Sequence, residues 1–192
     1  MTVEAGRLRQ ALLPLGLLLL LVIFVHSCVP KPITDLRPIG MSRVPATALP
    51  QIDDLRDALS ARGESLWKVS LSGDSDWIQQ VKQHELNSYA LVVRCDERNS
   101  RIFSLGPYVG SVHVSYYGEG FKALRSMRGP VTYEIYLPET GRYISEADSN
   151  ARMPSYDLGK GRTALCIRIA GGAMHGAYGQ SNEVRVEIGG PT

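Results

Sequence analysis

Beyond residue 65 the chain alternates apolar and polar residues with a period of two, the pattern of strands buried on one face. Trp67, Val69 and Leu71 alternate in this way, and Tyr89, Leu91, Val93 and Cys95 share one face of a stronger strand. Val112, Val114 and Tyr116 share a face of the next, which leaves Ser111, His113, Ser115 and Tyr117 on the other. A third apolar run covers 131–137, and the Pro-Glu-Thr-Gly at 138–141 predicts a turn with a return through Tyr143 and Ile144. Leu165, Ile167 and Ile169 predict another strand. Val184, Val186 and Ile188, set against Glu183, Arg185 and Glu187, give the cleanest alternation in the chain. Helical spacing interrupts this twice. Ile52, Leu55 and Leu59, with Asp53 and Asp54 in the first turn and Gly63 at the end, predict a helix over 52–62. Asp76 followed by Gln79 predicts the start of a second helix, over 76–84. Some seven short strands without βαβ alternation predict a mainly β protein, an antiparallel β-sandwich with one or two short helices.

The first fifty residues follow neither period. Residues 11–25 form an apolar run behind Arg7 and Arg9. As a helix they would span about 22 Å, short of the roughly 30 Å hydrocarbon core of a bilayer. That length fits the core of a signal peptide over 1–27. Cys28 follows at once, and Val25-His26-Ser27-Cys28 resembles the lipobox of bacterial lipoprotein signals, with His26 standing where a small residue is usual. The resemblance implies cleavage before Cys28 and diacylation of its thiol, a firm anchor at about 0.8 kcal/mol per buried methylene. The alternative is an uncleaved signal anchor with an incidental cysteine. Val29 is not acidic, which by the same resemblance implies sorting to the outer membrane with the fold in the periplasm. Pro30, Pro32, Pro38, Pro45 and Pro50 predict an extended tether over 28–50. Residues 51–192 are then the single sandwich domain.

Composition narrows the function classes. A chain of 192 residues, 44% hydrophobic and 21% charged, is globular and excludes a large multidomain enzyme. A net charge of +2 with no basic stripe leaves nothing to neutralise nucleic-acid phosphates. Setting Cys28 aside leaves Cys95 and Cys166, an even number in an oxidising compartment. They stand either as a disulfide or as two buried thiols, since free cysteine is itself among the most buried residue types.

Candidate chemistry is sparse. Gly179-Gln180-Ser181-Asn182-Glu183 starts like a nucleophile elbow, but Glu183 replaces the second glycine and a strand follows rather than a helix. Ser181 and Asn182 read better as turn residues. His84, His113 and His175 carry no ligand spacing, and Asp148 with Asn150 lacks the rest of a calcium loop. The expectation is a binding protein without cofactor or metal, not an enzyme. The run 171–182 (GGAMHGAYGQSN) predicts a glycine-rich loop open to close backbone approach, either a recognition surface or simply a long, tolerant hairpin connection. Nine Tyr against three Phe add side chains favoured at interfaces, although tyrosine is also a good strand former. Tyr178 and His175 in that loop, with Tyr117 and His113 on an exposed strand face, are the candidate partner-binding residues. The acidic helix with Asp53, Asp54 and Asp57 is the competing surface.

The signal ending in Cys28, the proline segment and a Tyr- and Gly-rich β domain resemble two groups of periplasmic lipoproteins. The stretch 165–172, continuing through Ser181-Asn182-Glu183-Val184, resembles more closely the immunity lipoproteins paired with lipases of type VI secretion systems. That resemblance implies a protein that binds and neutralises a cognate toxin, such as a phospholipase. The other group, the β-sandwich lipoprotein that anchors the type VI complex at the outer membrane, implies a scaffold.

Overall fold

A computed structural model describes residues 30–50, 53–99, 101–142 and 155–189. The expected signal peptide, Cys28, the return through Tyr143 and Ile144, and the Asp148–Asn150 pair lie outside the described residues.

The strands are β1 (Arg37–Pro45), β2 (Ser65–Asp74), β3 (Asn87–Arg94), β4 (Arg101–Ile102), β5 (Leu105–Val109), β6 (Val112–His113), β7 (Pro130–Pro138), β8 (Thr140–Arg142), β9 (Ser155–Asp157), β10 (Thr163–Gly172), β11 (Tyr178–Gln180) and β12 (Val184–Ile188). The helices are α1 (Asp53–Ala61), α2 (Asp76–His84) and the single turn α3 (Phe121–Leu124). The first sheet runs β1-β2-β7-β5-β6. In the second, β10 pairs β3 on one side and both β11 and β12 on the other, with β4 beyond β3. All named pairings are antiparallel, and one apolar core takes Val69, Leu71, Ile135 and Leu137 from the first sheet and Val92, Leu165, Ile167, Val184 and Ile188 from the second. The protein is mainly β, with the two sheets packed face to face.

Helix α2 closes one end of the sandwich. It leads from the end of β2 to the start of β3, and Trp77, Ile78 and Val81 recur at helical spacing to face the shared core. Glu85, at φ +52°, stops it. The Trp77 indole N–H donates to Ser88 Oγ at 3.0 Å, which seats Ser88 on the inward face of β3. That seat explains one departure from the alternation. The face of Tyr89, Leu91, Val93 and Cys95 is shared as expected, but it points outward, and the core takes Ser88, Ala90 and Val92 instead.

A second, smaller core lies on the outer side of the first sheet. Ala46, Leu49 and Leu59 cover Leu66, Tyr108 and Tyr136 there. The alternation does not reveal this cover, because it turns a nominally outward face into a partly buried one.

The proline segment is a correction. Its described part, residues 30–50, is folded into the domain rather than left as a tether. Pro30, Ile33 and Leu36 are buried, Ile33 forms a parallel bridge to Ser181, and β1 pairs with β2 from Arg37 to Pro45. Asn182 fixes the crossing between sheets, accepting from the Leu36 N–H at 3.0 Å and donating to the Leu36 carbonyl at 2.9 Å. Its amide thus replaces a ladder partner. The sequence 138–141 does not reverse the chain: Thr140–Arg142 continues as β8 and pairs with β9.

Candidate functional site

Cys95 and Cys166 are bridged, with their Cα atoms 5.1 Å apart and a sequence separation of 71. The backbone prepares this contact: Cys95 N–H donates to the Ala164 carbonyl, and Cys166 pairs with Val93. The bridge therefore lies on the outward face of the second sheet.

The glycine-rich run is not an adaptable loop. It is a hairpin in which β10 and β11 pair from Ala170–Gln180 to Gly172–Tyr178, closed by a short turn. Its glycines serve the end helix. A Cβ on Gly171 would stand 3.2 Å from both Leu86 Cβ and the Trp77 ring and 3.1 Å from the Asn87 carbonyl oxygen. One on Gly179, across the hairpin, would meet Pro30 at 3.0 Å and the Trp77 ring at 3.4 Å. The Gly171–Gly179 pair is thus the floor on which Trp77 and Pro30 pack. Ser181 is likewise structural, since its hydroxyl accepts from the Ile169 N–H and donates to the Asn182 carbonyl.

The four candidate partner-binding residues separate. Tyr178 is in β11, on the outward face of the second sheet, with 48% of its surface exposed. There it meets Tyr89, 38% exposed, diagonally across Ala170 and Gly172. Burial and then the neighbouring Tyr178 hydroxyl push the Tyr89 phenol above its ordinary ionisation range, with Arg101 pulling the other way. Continuing the β3–β4 register past Val92–Ile102 places Phe103, 37% exposed, beside Leu91. The contact is held by Ser104 Oγ donating to the Ala90 carbonyl. Next to these rings Glu183 bridges Arg168 at 2.9 Å and Arg98 at 3.0 Å. The outward face therefore joins three exposed aromatic rings to a two-arginine, one-glutamate network, the composition of an interface core and its rim.

His175 and Tyr117 lie at the end of the sandwich instead. His175 is exposed in the hairpin turn. It neighbours His84, whose protonation is pushed down by burial and then by the His175 charge. The Tyr117 hydroxyl donates to Glu85 Oε2 at 3.3 Å, so both residues flank the end of α2.

His113 is the second correction. It is not on an exposed face with Tyr117. The strand stops at His113, whose ring sits edge-on to Tyr108 at 5.1 Å on the outer side of the first sheet. Desolvation lowers its pKa from the ordinary 6.5, and a hydrogen bond to the Gly106 backbone opposes the shift. The same burial raises the Tyr108 phenol to about 12. Beside them Tyr136 donates to Glu134, which also pairs with Lys68. This cluster is internally paired and holds the sheet face together.

Of the acidic helix, Asp57 is exposed and pairs with Arg56. Among the described residues no three His, Cys, Asp or Glu side chains converge as metal ligands would. An open cleft of about 210 Å³ lies between Asp35, Arg37, Ser72, Gly73, Asp74 and Pro130. Asp35 there accepts from the Asp74 N–H and so ties the entering segment to β2.

Comparison of the sequence with protein-family models and curated proteins, and of the fold with solved structures, gave no match. The site must be read from its own geometry. The sequence missed Tyr89 and Phe103 because their neighbours on the face come from strands far apart in the chain.

Proposed function

We propose that this chain is a lipid-anchored periplasmic protein of the outer membrane that binds a protein partner, rather than an enzyme, and that the partner is a cognate toxin which it neutralises. The toxin class suggested by the resemblance of 165–172 and 181–184 is a type VI secreted phospholipase. The observation that carries the binding reading is the outward face of the second sheet. Tyr89, Phe103 and Tyr178 are large and partly exposed, with Tyr89 and Tyr178 on paired strands and Phe103 directly after β4, so little backbone freedom is left to lose on association. The disulfide stiffens the same face and suits an oxidising compartment.

Co-expression with the product of the adjacent gene, directed to the periplasm, tests the reading. The expected result is relief of toxicity together with co-purification of the two proteins. Persistent toxicity with no complex on pull-down would overturn it, and recovery of secretion-machine subunits instead would point to the scaffold role.

A further inference from the structure

We infer that the end of the sandwich closed by α2 and the β10–β11 hairpin rests directly on the phospholipid bilayer, with Met174 entering the interface. The inference rests on the acylation of Cys28 proposed above. Its ground is the absence of slack where the chain enters the fold. Pro30 is packed against the Gly179 backbone and the Trp77 ring. The Lys31 carbonyl accepts from Gln80 Nε2 on α2 at 2.6 Å. Ile33 is bridged to Ser181, and Asn182 holds Leu36 from both sides. Between Cys28 and Pro30 stands Val29 alone. Two residue steps span at most about 7 Å even when fully extended. An acylated Cys28 therefore brings the membrane surface to within that reach of Pro30.

What this end presents suits such a surface. Pro30 runs parallel to β11 beside Gly179, so the hairpin turn is its neighbour. The turn, residues 173–177, contains Ala, Met, His, Gly and Ala, with no Asp, Glu, Lys or Arg. Met174 at its tip is 94% exposed, the most exposed large apolar side chain among the described residues. Such exposure is a cost in water that disappears where the thioether chain meets acyl tails. Tyr117, 62% exposed beside Glu85, stands on the same end and has the ring and polar tip that favour the headgroup level. The turn at Gly159–Lys160 is at the far end of β10, whose ten residues extend roughly 30 Å. Contact is thus expected at one end only. The aromatic face of the second sheet then stands upright beside the membrane, and a partner bound there would be held close to the lipid surface.

The test uses the full acylated protein in phosphatidylethanolamine–phosphatidylglycerol vesicles. With Cys28 acylated and Cys95 bridged to Cys166, Met174→Cys supplies the one thiol open to an environment-sensitive fluorophore. Lys160→Cys supplies the control. We expect nitroxide-bearing lipids to quench the label at 174 by at least about twofold, with blue-shifted emission, given an insertion depth of roughly 5–10 Å for interfacial apolar groups. The label at 160 should be unaffected. Co-flotation with the vesicles while both labels stay unquenched would overturn the docking and leave the anchor standing. Absence of co-flotation would overturn both.

Discussion

Removal of the Cys95–Cys166 bridge should cost this domain several kcal/mol, and the size of the loss can be worked from its position. The bridge closes a loop of about 71 residues that holds β4 to β9, so one edge strand of each sheet, β4 and β6, and the β7-β5-β6 half of the first sheet depend on it. In the chain-entropy description, closing a loop of that length removes about 15 cal/mol/K from the unfolded ensemble, or about 4.4 kcal/mol at 25 °C. Whole domains are stable by only about 5–15 kcal/mol, so reduction should leave a marginal fold. Urea unfolding followed by tryptophan emission suits the measurement, because Trp77 is buried in the core and becomes exposed on unfolding. With a urea slope of about 2 kcal/mol/M, reduction or Cys95→Ala/Cys166→Ala should lower the midpoint by about 2 M. The slope itself should rise, since the unlinked chain exposes more surface. Oxidised and reduced protein agreeing within about 1 kcal/mol would refute the reasoning and show that the long loop is already restrained in the unfolded state.

Further outcomes follow from the same contacts. Gly171→Ala places a methyl 3.1–3.2 Å from Asn87, Leu86 and Trp77 and should destabilise by about 1 kcal/mol after the gain from a stiffer unfolded chain, whereas Gly110→Ala, which meets nothing within 4 Å but has φ +59°, isolates the backbone effect. Asn182→Ala leaves the Leu36 N–H and carbonyl without their partner and should cost about 1–3 kcal/mol, with faster proteolysis around residues 30–40 as the readout. His113 has a depressed pKa in the fold, so it binds protons more readily unfolded. Its contribution is whole above pH 6.5 and is lost as pH falls through the lower folded value. His113→Phe should therefore flatten part of the stability decline below pH 6.5, and an unchanged pH profile would contradict the assignment.

Legibility in the sequence depended on how many faces of an element are buried. β12 alternates because one face packs and the other is solvated, and α2 shows its apolar stripe for the same reason. β1 carries no such signal. Seven of its nine residues in succession are exposed, so its strand character comes from pairing with β2 and not from its own pattern. For the run 171–182 glycine content alone leaves a recognition loop and a hairpin connection both open, and the hairpin is what forms, with Gly171 and Gly179 small for the sake of Trp77, some hundred residues earlier. One clue was available: Ile167, Ile169 and Gly171 continue a single inward phase. His113 had the parity of a surface residue, but Tyr108 and Tyr136 belong to a second apolar cluster, and no local pattern announces a covering layer. Of the candidate surface, Tyr178 and Tyr117 were recognisable as exposed tyrosines. Tyr89 and Phe103 were not, since Tyr89 comes beside Tyr178 only through pairing across β10, and Phe103 beside Leu91 only through pairing of β3 with β4.

The most direct test of the account is complex formation by the Tyr89→Ala/Phe103→Ala/Tyr178→Ala variant with the co-expressed product of the adjacent gene. The variant should keep the disulfide and the wild-type urea midpoint within about 0.5 M, since all three rings lie outside the core. Each anchor is expected to contribute about 2 kcal/mol, so affinity should fall by at least about 100-fold and protection from the toxin should disappear. Wild-type affinity and full protection in a folded variant would contradict the assignment of the outward face as the binding surface.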